Sequence, residues 1–293
     1  MFFGWLLSLA LPGCASSSSP CGSDVGEGIL DDESDLGTFW IGRIAVKELD
    51  QRSGLEIGHS TAVAASFADF SGFTLLLPER TYFSKACFVY MTRLETEGTK
   101  QTLAVSEVAF RGLVEPGFSL LPEGNGSFKT KVPDGRIFAQ DELEVQVQSG
   151  PGESAFPALT GKLRAPDLPE LTRLGEVPDP DLRAPGSIGI IADRPEDLKV
   201  QWKPGSGDYM DFVLIPGNGS LTKFMKLRCI TPDDGCLTVP AAALQYLAQD
   251  KALDFQLKLT RSQVLLHYAE QGGVRQAAAL ISAEAAIEGT VLR

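Results

Sequence analysis

"LDFQLKLT", Leu253 to Thr260, sets Leu253, Phe255, Leu257 and Leu259 on one side of the chain and Asp254, Gln256, Lys258 and Thr260 on the other. An extended chain turns successive side chains to opposite faces, so this alternation predicts a strand with one face buried and one wet. Antiparallel sheets are built from such strands. "DLKVQWK", Asp197 to Lys203, repeats the pattern with Leu198, Val200 and Trp202, and "LEVQVQ", Leu143 to Gln148, repeats it with Leu143, Val145 and Val147. Further strand-like runs are Thr38–Leu49, Thr61–Phe67, Phe73–Leu77, Ala86–Arg93, Leu103–Arg111, Phe128–Val132, Lys223–Ile230 and Val264–Tyr268. Thirty glycines and 18 prolines punctuate them. Many short strands separated by turn residues point to an all-β fold of sandwich or barrel type and away from α/β.

Outward from these strands, helices are scarce. "VPAAALQYLAQD", Val239 to Asp250, is the best short candidate, with Pro240 in the first turn where a missing N–H does no harm. The alanine-rich "VRQAAALISAEAAIEGTVLR", Val274 to Arg293, is ambiguous, and its final part reads as a closing strand. "RAPDLPELTRLGEVPDPDLRAPG", Arg164 to Gly186, holds five prolines. Proline removes ladder donors and fixes φ, so residues 165–186 are expected as an extended, solvent-facing linker. It would separate an N-terminal β domain, 37–164, from a C-terminal one, 187–293. "GNGS" stands at Gly124–Ser127 and again at Gly217–Ser220. Asn-Gly is a hairpin turn signal, and its recurrence fits either a duplicated sandwich or chance reuse of a favoured turn.

The chain has 293 residues, 43% of them hydrophobic, which is enough for real cores and excludes global disorder. Lys plus Arg number 26 and Asp plus Glu 38, giving a net charge of −12. Phosphate backbones repel such a chain, so nucleic acid is not an expected partner.

The N-terminus speaks to location. Phe2 to Leu11 is apolar except for Gly4 and Ser8. That is well short of the roughly 20 residues that span a bilayer, and it fits the core of a secretory signal. "LPGC", Leu11 to Cys14, resembles the lipobox of bacterial lipoproteins, in which the chain is cut before a cysteine that is then acylated. The match departs from that pattern in Pro12 and in having no Lys or Arg ahead of the apolar run. The resemblance implies a signal peptide over 1–13, lipidation of Cys14 and a membrane partner through the lipid anchor. Residues 14–36, "CASSSSPCGSDVGEGILDDESDL", are small, polar and acidic, as a tether would be. Ala15 is not the aspartate that retains such proteins at the inner membrane, so the resemblance implies the outer membrane or cell surface; free secretion on a plain signal is the alternative.

If Cys14 carries lipid, four of the five cysteines remain: Cys21, Cys87, Cys229 and Cys236. Four cysteines allow three pairings. Cys229 and Cys236 flank "ITPDDG", a strong turn sequence, so the expected bridge joins them, and Cys21 then falls to Cys87 by elimination.

The order "LKVQWKPGSGDYMDFVLI", "MKLRCITPDDGCLTVPAAAL", "LDFQLKLTR" resembles an immunoglobulin-like β-sandwich module of surface lipoproteins from myxobacteria and similar soil bacteria. The upstream "VQSGPGESAFPALTGKLRAP" is similar to the segment that precedes such modules, and the resemblance runs from Phe138 to Ser262. It implies an immunoglobulin-like sandwich there, and with the Pro-rich stretch dividing two β-rich halves the expectation is two such sandwiches joined by a linker. It implies no reaction, and no catalytic residue carries over.

Chemistry is thin. There is no G-x-S-x-G elbow, and the two histidines, His59 and His267, read as an exposed loop residue and a strand residue. The carboxylate pairs Asp208/Asp211 and Asp141/Glu142 are the kind an acidic chain offers by chance. "DDESD", Asp31 to Asp35, and "TPDDG", Thr231 to Gly235, lack the alternating spacing of a calcium loop. "GSIGII", Gly186 to Ile191, is not followed by a dinucleotide fingerprint, and Trp202 reads as a core anchor. No cofactor and no metal are expected. The expectation is a lipid-anchored envelope protein, not an enzyme, that binds an envelope protein or glycan or serves as a structural module. The rivals are a surface hydrolase with an unrecognised site and a carbohydrate- or small-ligand-binding lipoprotein.

Overall fold

The alternation of Leu253–Thr260 belongs to one arm of a long hairpin that organises the whole molecule. The computed structural model describes residues 42–53, 56–69, 73–76, 80–91, 95–98, 101–123, 127–132, 136–152, 154–180, 182, 196–217, 225–249, 251–271 and 274–292. The expected signal peptide and tether, with Cys14 and Cys21, lie outside them.

In chain order the strands are β1 (Gly42–Ser53), β2 (Glu56–Asp69), β3 (Phe73–Leu76), β4 (Arg80–Tyr82), β5 (Cys87–Met91), β6 (Glu95–Gly98) and β7 (Gln101–Thr102). There follow β8 (Val105–Arg111), β9 (Ser119–Leu120), β10 (Ser127–Val132), β11 (Glu142–Ser149), β12 (Leu159–Arg164), β13 (Leu171–Leu174) and β14 (Val177–Pro178). The last are β15 (Leu198–Trp202), β16 (Tyr209–Pro216), β17 (Met225–Pro232), β18 (Cys236–Val239), β19 (Asp254–Gln271) and β20 (Val274–Leu292). One helix, α1 (Ala241–Ala248), is described among them. The fold is all-β.

The β19–β20 hairpin pairs from Asp254↔Leu292 to Gln271↔Val274. On one flank β1 joins β20 in parallel, with Gly42 opposite Ala279, and β2 and β10 follow antiparallel. On the other flank β16, β17, β5 and β4 follow in that order, all antiparallel. Two four-stranded sheets, β12-β11-β8-β9 and β14-β13-β15-β18, supply the opposing layers.

Two apolar cores form against this long sheet. The first joins Ile44, Val46, Val63, Phe67, Phe128 and Ile281 to Val108, Phe110, Leu143 and Val145. The second joins Cys87, Phe212, Leu227, Leu257, Leu259 and Ile287 to Leu198, Val200, Trp202 and Leu237. Ile281 and Ile287 have the same parity on β20, with no register shift between them, so both cores sit on one face of the sheet. The strands read from alternation bury the expected sides: Leu143, Val145, Val147, Leu198, Val200 and Trp202 are all buried. Leu253 is the exception at 67% exposed, because β19 begins one residue later.

Two features depart from the reading along the chain. The Pro-rich stretch 165–186 contains β13 and β14, which pair with each other and with β15. Leu171–Leu174 falls between Pro169 and Pro178 and holds no proline, so its backbone donors are intact; Pro178 is placed in β14, an edge strand where proline is tolerated. β5 precedes residue 164 yet pairs with β17 and lies in the second core. The boundaries at 164 and 187 therefore do not follow how the strands are shared. α1 forms where expected. Its Pro240 has no side-chain cap to give, and Asp197 Oδ1 accepts the Ala241 N–H instead, at 2.8 Å.

Candidate functional site

Between the cores the inward face of the sheet turns polar. Following Ile44 and Val46, the next inward residues of β1 are Glu48 and Asp50; following Leu257 and Leu259, the next of β19 is Arg261. Register places Thr61, Glu48, Ala285, Arg261 and Met210 in one row across five strands. The charged residues of this row are the strongest candidates for a site.

Arg261 is the better served. Its Nε donates to Asp233 Oδ2 at 2.8 Å, and the two side chains are only 3% and 2% exposed. Its Nη2 donates to the Lys203 carbonyl and its Nη1 to that of Asp167, at 3.2 Å. Asp233 also accepts from Trp202 Nε1 at 2.8 Å and from the Gly205 and Gly207 N–H groups at 3.1 and 3.0 Å. "KPGSGD", Lys203 to Asp208, is glycine-rich for a steric reason. A Cβ on Gly205 would lie 2.3 Å from Arg261 Cζ, and one on Gly207 2.6 Å from its Cγ. The network ties β19 to three loops: β12–β13, β15–β16 and β17–β18. A carboxylate so fully engaged has no lone pair to spare for a reaction, and the pair acts as a lock.

The other end of the row is looser. Glu48 is 1% exposed; its Oε2 accepts the Ile137 N–H at 3.1 Å, while its Oε1 makes no hydrogen bond. Arg136 Nε stands 3.8 Å from that oxygen. One row further on, the His59 imidazole lies 3.9 Å from the buried Asp50 carboxylate. His59 is therefore on β2 and in an ion-pair position rather than in a loop. On the outer face, a recess of about 120 Å³ is lined by Lys47, Ser60, Lys258 and Glu284 among others. The Lys47–Glu284 ion pair, 2.6 Å, contributes to its wall. It falls below the roughly 300–1,000 Å³ of a ligand pocket.

The other carboxylates named from the sequence do not converge. Asp208 Oδ2 accepts the Val264 N–H at 2.8 Å, whereas Asp211 makes a two-oxygen pair with Arg228 at 3.0 Å. Glu142 binds Lys162 at 2.9 Å. That hydrogen bond, with the charges of Glu142 and Glu144, holds the Lys162 amine above its usual range. In Thr231–Gly235, Asp233 is taken by Arg261, and Asp234 Oδ1 accepts the Cys236 N–H. His267 sits in β19 opposite Ala279, and Trp202 is a core anchor with its indole N–H bound. Among the described residues no group of three His, Cys, Asp or Glu side chains is placed to hold a metal.

The cysteine pairing is corrected. Cys229 bonds to Cys87, 142 residues away, and not to Cys236. Cys87 therefore does not take Cys21. The reason is topological. β17 and β18 belong to different sheets, so "ITPDDG" crosses between layers instead of closing a hairpin. Cys229 faces inward directly opposite Cys87 on the neighbouring strand. Cys236 is disulfide-bonded as well.

One surface feature escaped the sequence reading. Tyr82, Phe88 and Tyr90 form an aromatic row on the face of β4 and β5 away from the core, with ring centroids 5.5 and 5.7 Å apart; Phe88 at its centre is buried, and Tyr82 is the exposed ring. Arg80 lies 5.0 Å over the Phe88 ring, and Tyr82 is 55% exposed. The residues are 80, 82, 88 and 90, each alternate along its strand, and only the pairing of β4 with β5 brings them together.

No family model matches the chain, and no curated protein matches it.

Proposed function

We propose that this chain is a lipid-anchored protein of the cell envelope, at the outer membrane or cell surface, that works as a non-enzymatic binding or structural module. The observation that carries the reading is the Cys87–Cys229 bond, formed between two core residues at 0% exposure. Structural disulfides form and persist in oxidising compartments, so the bond supports export. The lipobox-like "LPGC" then supplies the anchor at Cys14. The Arg261–Asp233 lock supports a rigid scaffold role, since its polar groups are spent on holding loops to the sheet. The sheet layers facing each other over each core support the finer reading of immunoglobulin-like units.

The test is localisation with mass. The full chain is expressed in a bacterial host, the envelope is fractionated, and the intact masses of wild type and Cys14→Ser are compared. Membrane-bound wild type with added acyl mass, both lost in Cys14→Ser, is the expected result. An unacylated soluble wild type overturns it.

A second reading is favoured by the aromatic row: a glycan as the partner, met by the exposed Tyr82 ring beside Arg80. Tyr82→Ala would then abolish co-sedimentation with envelope polysaccharide, and retention of binding sinks the idea.

A further inference from the structure

We infer that Cys236 is bonded to Cys21, so that the leader is fastened to the second core's outer sheet and the lipid anchor is held on a short leash. The inference rests on the lipid-anchor reading of Cys14. Cys236 is in a disulfide, and Cys87 and Cys229 are used by each other. The chain has five cysteines, which leaves Cys14 and Cys21 as partners for Cys236. A Cys14 sulfur committed to a thioether has no thiol to oxidise, so the partner is Cys21. The bond forms when both thiols lose their protons and two electrons pass to a disulfide-bearing thiol oxidoreductase of the export compartment.

The position of Cys236 gives the bond a consequence. Cys236 opens β18, an edge strand of the β14-β13-β15-β18 sheet, directly after the turn that carries Asp233. That turn is held to β19 by Arg261, so a pull on Cys236 is carried into the long sheet. Without the bond, the first described strand begins at Gly42, 28 residues beyond Cys14. A chain of that length reaches about 100 Å fully extended and about 30 Å as a flexible coil. Cys21 is seven residues beyond Cys14, and that length reaches at most about 25 Å. The bond therefore shortens the maximal leash about four-fold and turns the β17–β18 turn toward the bilayer.

The experiment uses the full chain in isolated membranes. A glutamyl endopeptidase cuts the leader at Glu27 or Glu33, both between Cys21 and Gly42, and cutting is scored on a reducing gel. The expected result is that the cut body stays with the membrane without reductant and is released when reductant is added. Cys21→Ser should release the body after cutting with no reductant. Release of the cut wild type without reductant overturns the inference and leaves the lipid anchor standing. Non-reduced peptide mapping after thiol blocking decides the case independently of the membrane. A Cys21–Cys236 linked peptide supports the inference. A Cys14–Cys236 linked peptide overturns both this inference and the lipid reading. A soluble, unacylated chain that still shows the Cys21–Cys236 peptide overturns the lipid reading alone.

Discussion

Asp233 and Glu48 are both buried carboxylates at the seam between the two cores, on opposite sides of the β19–β20 hairpin. Asp233 receives a guanidinium, an indole N–H and two backbone N–H groups. Glu48 receives one backbone N–H, and its second oxygen has a guanidinium only at 3.8 Å. The difference follows from what each faces. Asp233 lies in a turn between layers, where three loops converge on Arg261 and each brings backbone groups. Glu48 lies within a strand, where its neighbours' backbone groups are already paired in the ladder. A buried acid becomes a lock only where irregular chain surrounds it.

The largest expected effect sets the scale for the Asp233 side without touching either acid. Cys87→Ser with Cys229→Ser opens a loop of 142 residues. In the chain-entropy account such a closure is worth at most about 5 kcal/mol. Urea unfolding of the double variant should show most of that loss, and a loss below about 1 kcal/mol would mean the staple is idle. Next comes Asp233→Ala, which strands the Arg261 charge in the interior and should destabilise by about 3–5 kcal/mol. Asp233→Asn combined with Arg261→Met, which removes both charges and keeps an acceptor for the Trp202 and glycine N–H groups, should recover part of it, and no recovery would assign the loss to the turn instead of the charge. Glu48→Gln should change the unfolding free energy in urea by less than about 1 kcal/mol, since the amide oxygen can still accept the Ile137 N–H. A loss matching that of Asp233→Ala would erase the contrast between the two acids.

The smallest effect concerns Lys162, whose amine is held above its usual range by Glu142 and Glu144. A raised folded-state value stabilises below the ordinary lysine range, and the contribution is lost as pH rises through the raised value. The small stability difference between wild type and Lys162→Gln should therefore be present at neutral pH and vanish in strong alkali. A difference that grows in alkali would reverse the sign and exclude the pair as its cause.

Much of the strand content could be read directly, because alternation reports which side of a strand is wet. Leu198, Val200 and Trp202 are buried as their spacing requires. Alternation does not report which strands are neighbours, so the bond from Cys229 to Cys87 was invisible: it depends on β5 joining β17 across 142 residues. The seam was partly legible. Arg261 stands at the next inward position after Leu257 and Leu259, and Glu48 and Asp50 continue the side begun by Ile44 and Val46. A charge at an apolar phase of a strand is the signal for such a site. The alanines of β20 were ambiguous because alanine suits a helix equally well; here Ala279, Ala283 and Ala285 are buried along β20, which pairs with β1 and β19. The Pro-rich stretch misled because proline density over 165–186 conceals the proline-free Leu171–Leu174.

The parallel pairing of β1 with β20 has a temporal consequence. Gly42 meets Ala279, and Arg52 meets Gly289, so the first described strand finds its partner in the last. During synthesis, β1 and β2 emerge long before the strand that seats them on the long sheet. The first core, which needs Ala279, Ile281 and Ala283, stays unfinished until β20 has appeared. Long-range pairings of this kind fold slowly and leave strand edges exposed in the interval. A chain wired in this order closes its first core only when β20 arrives.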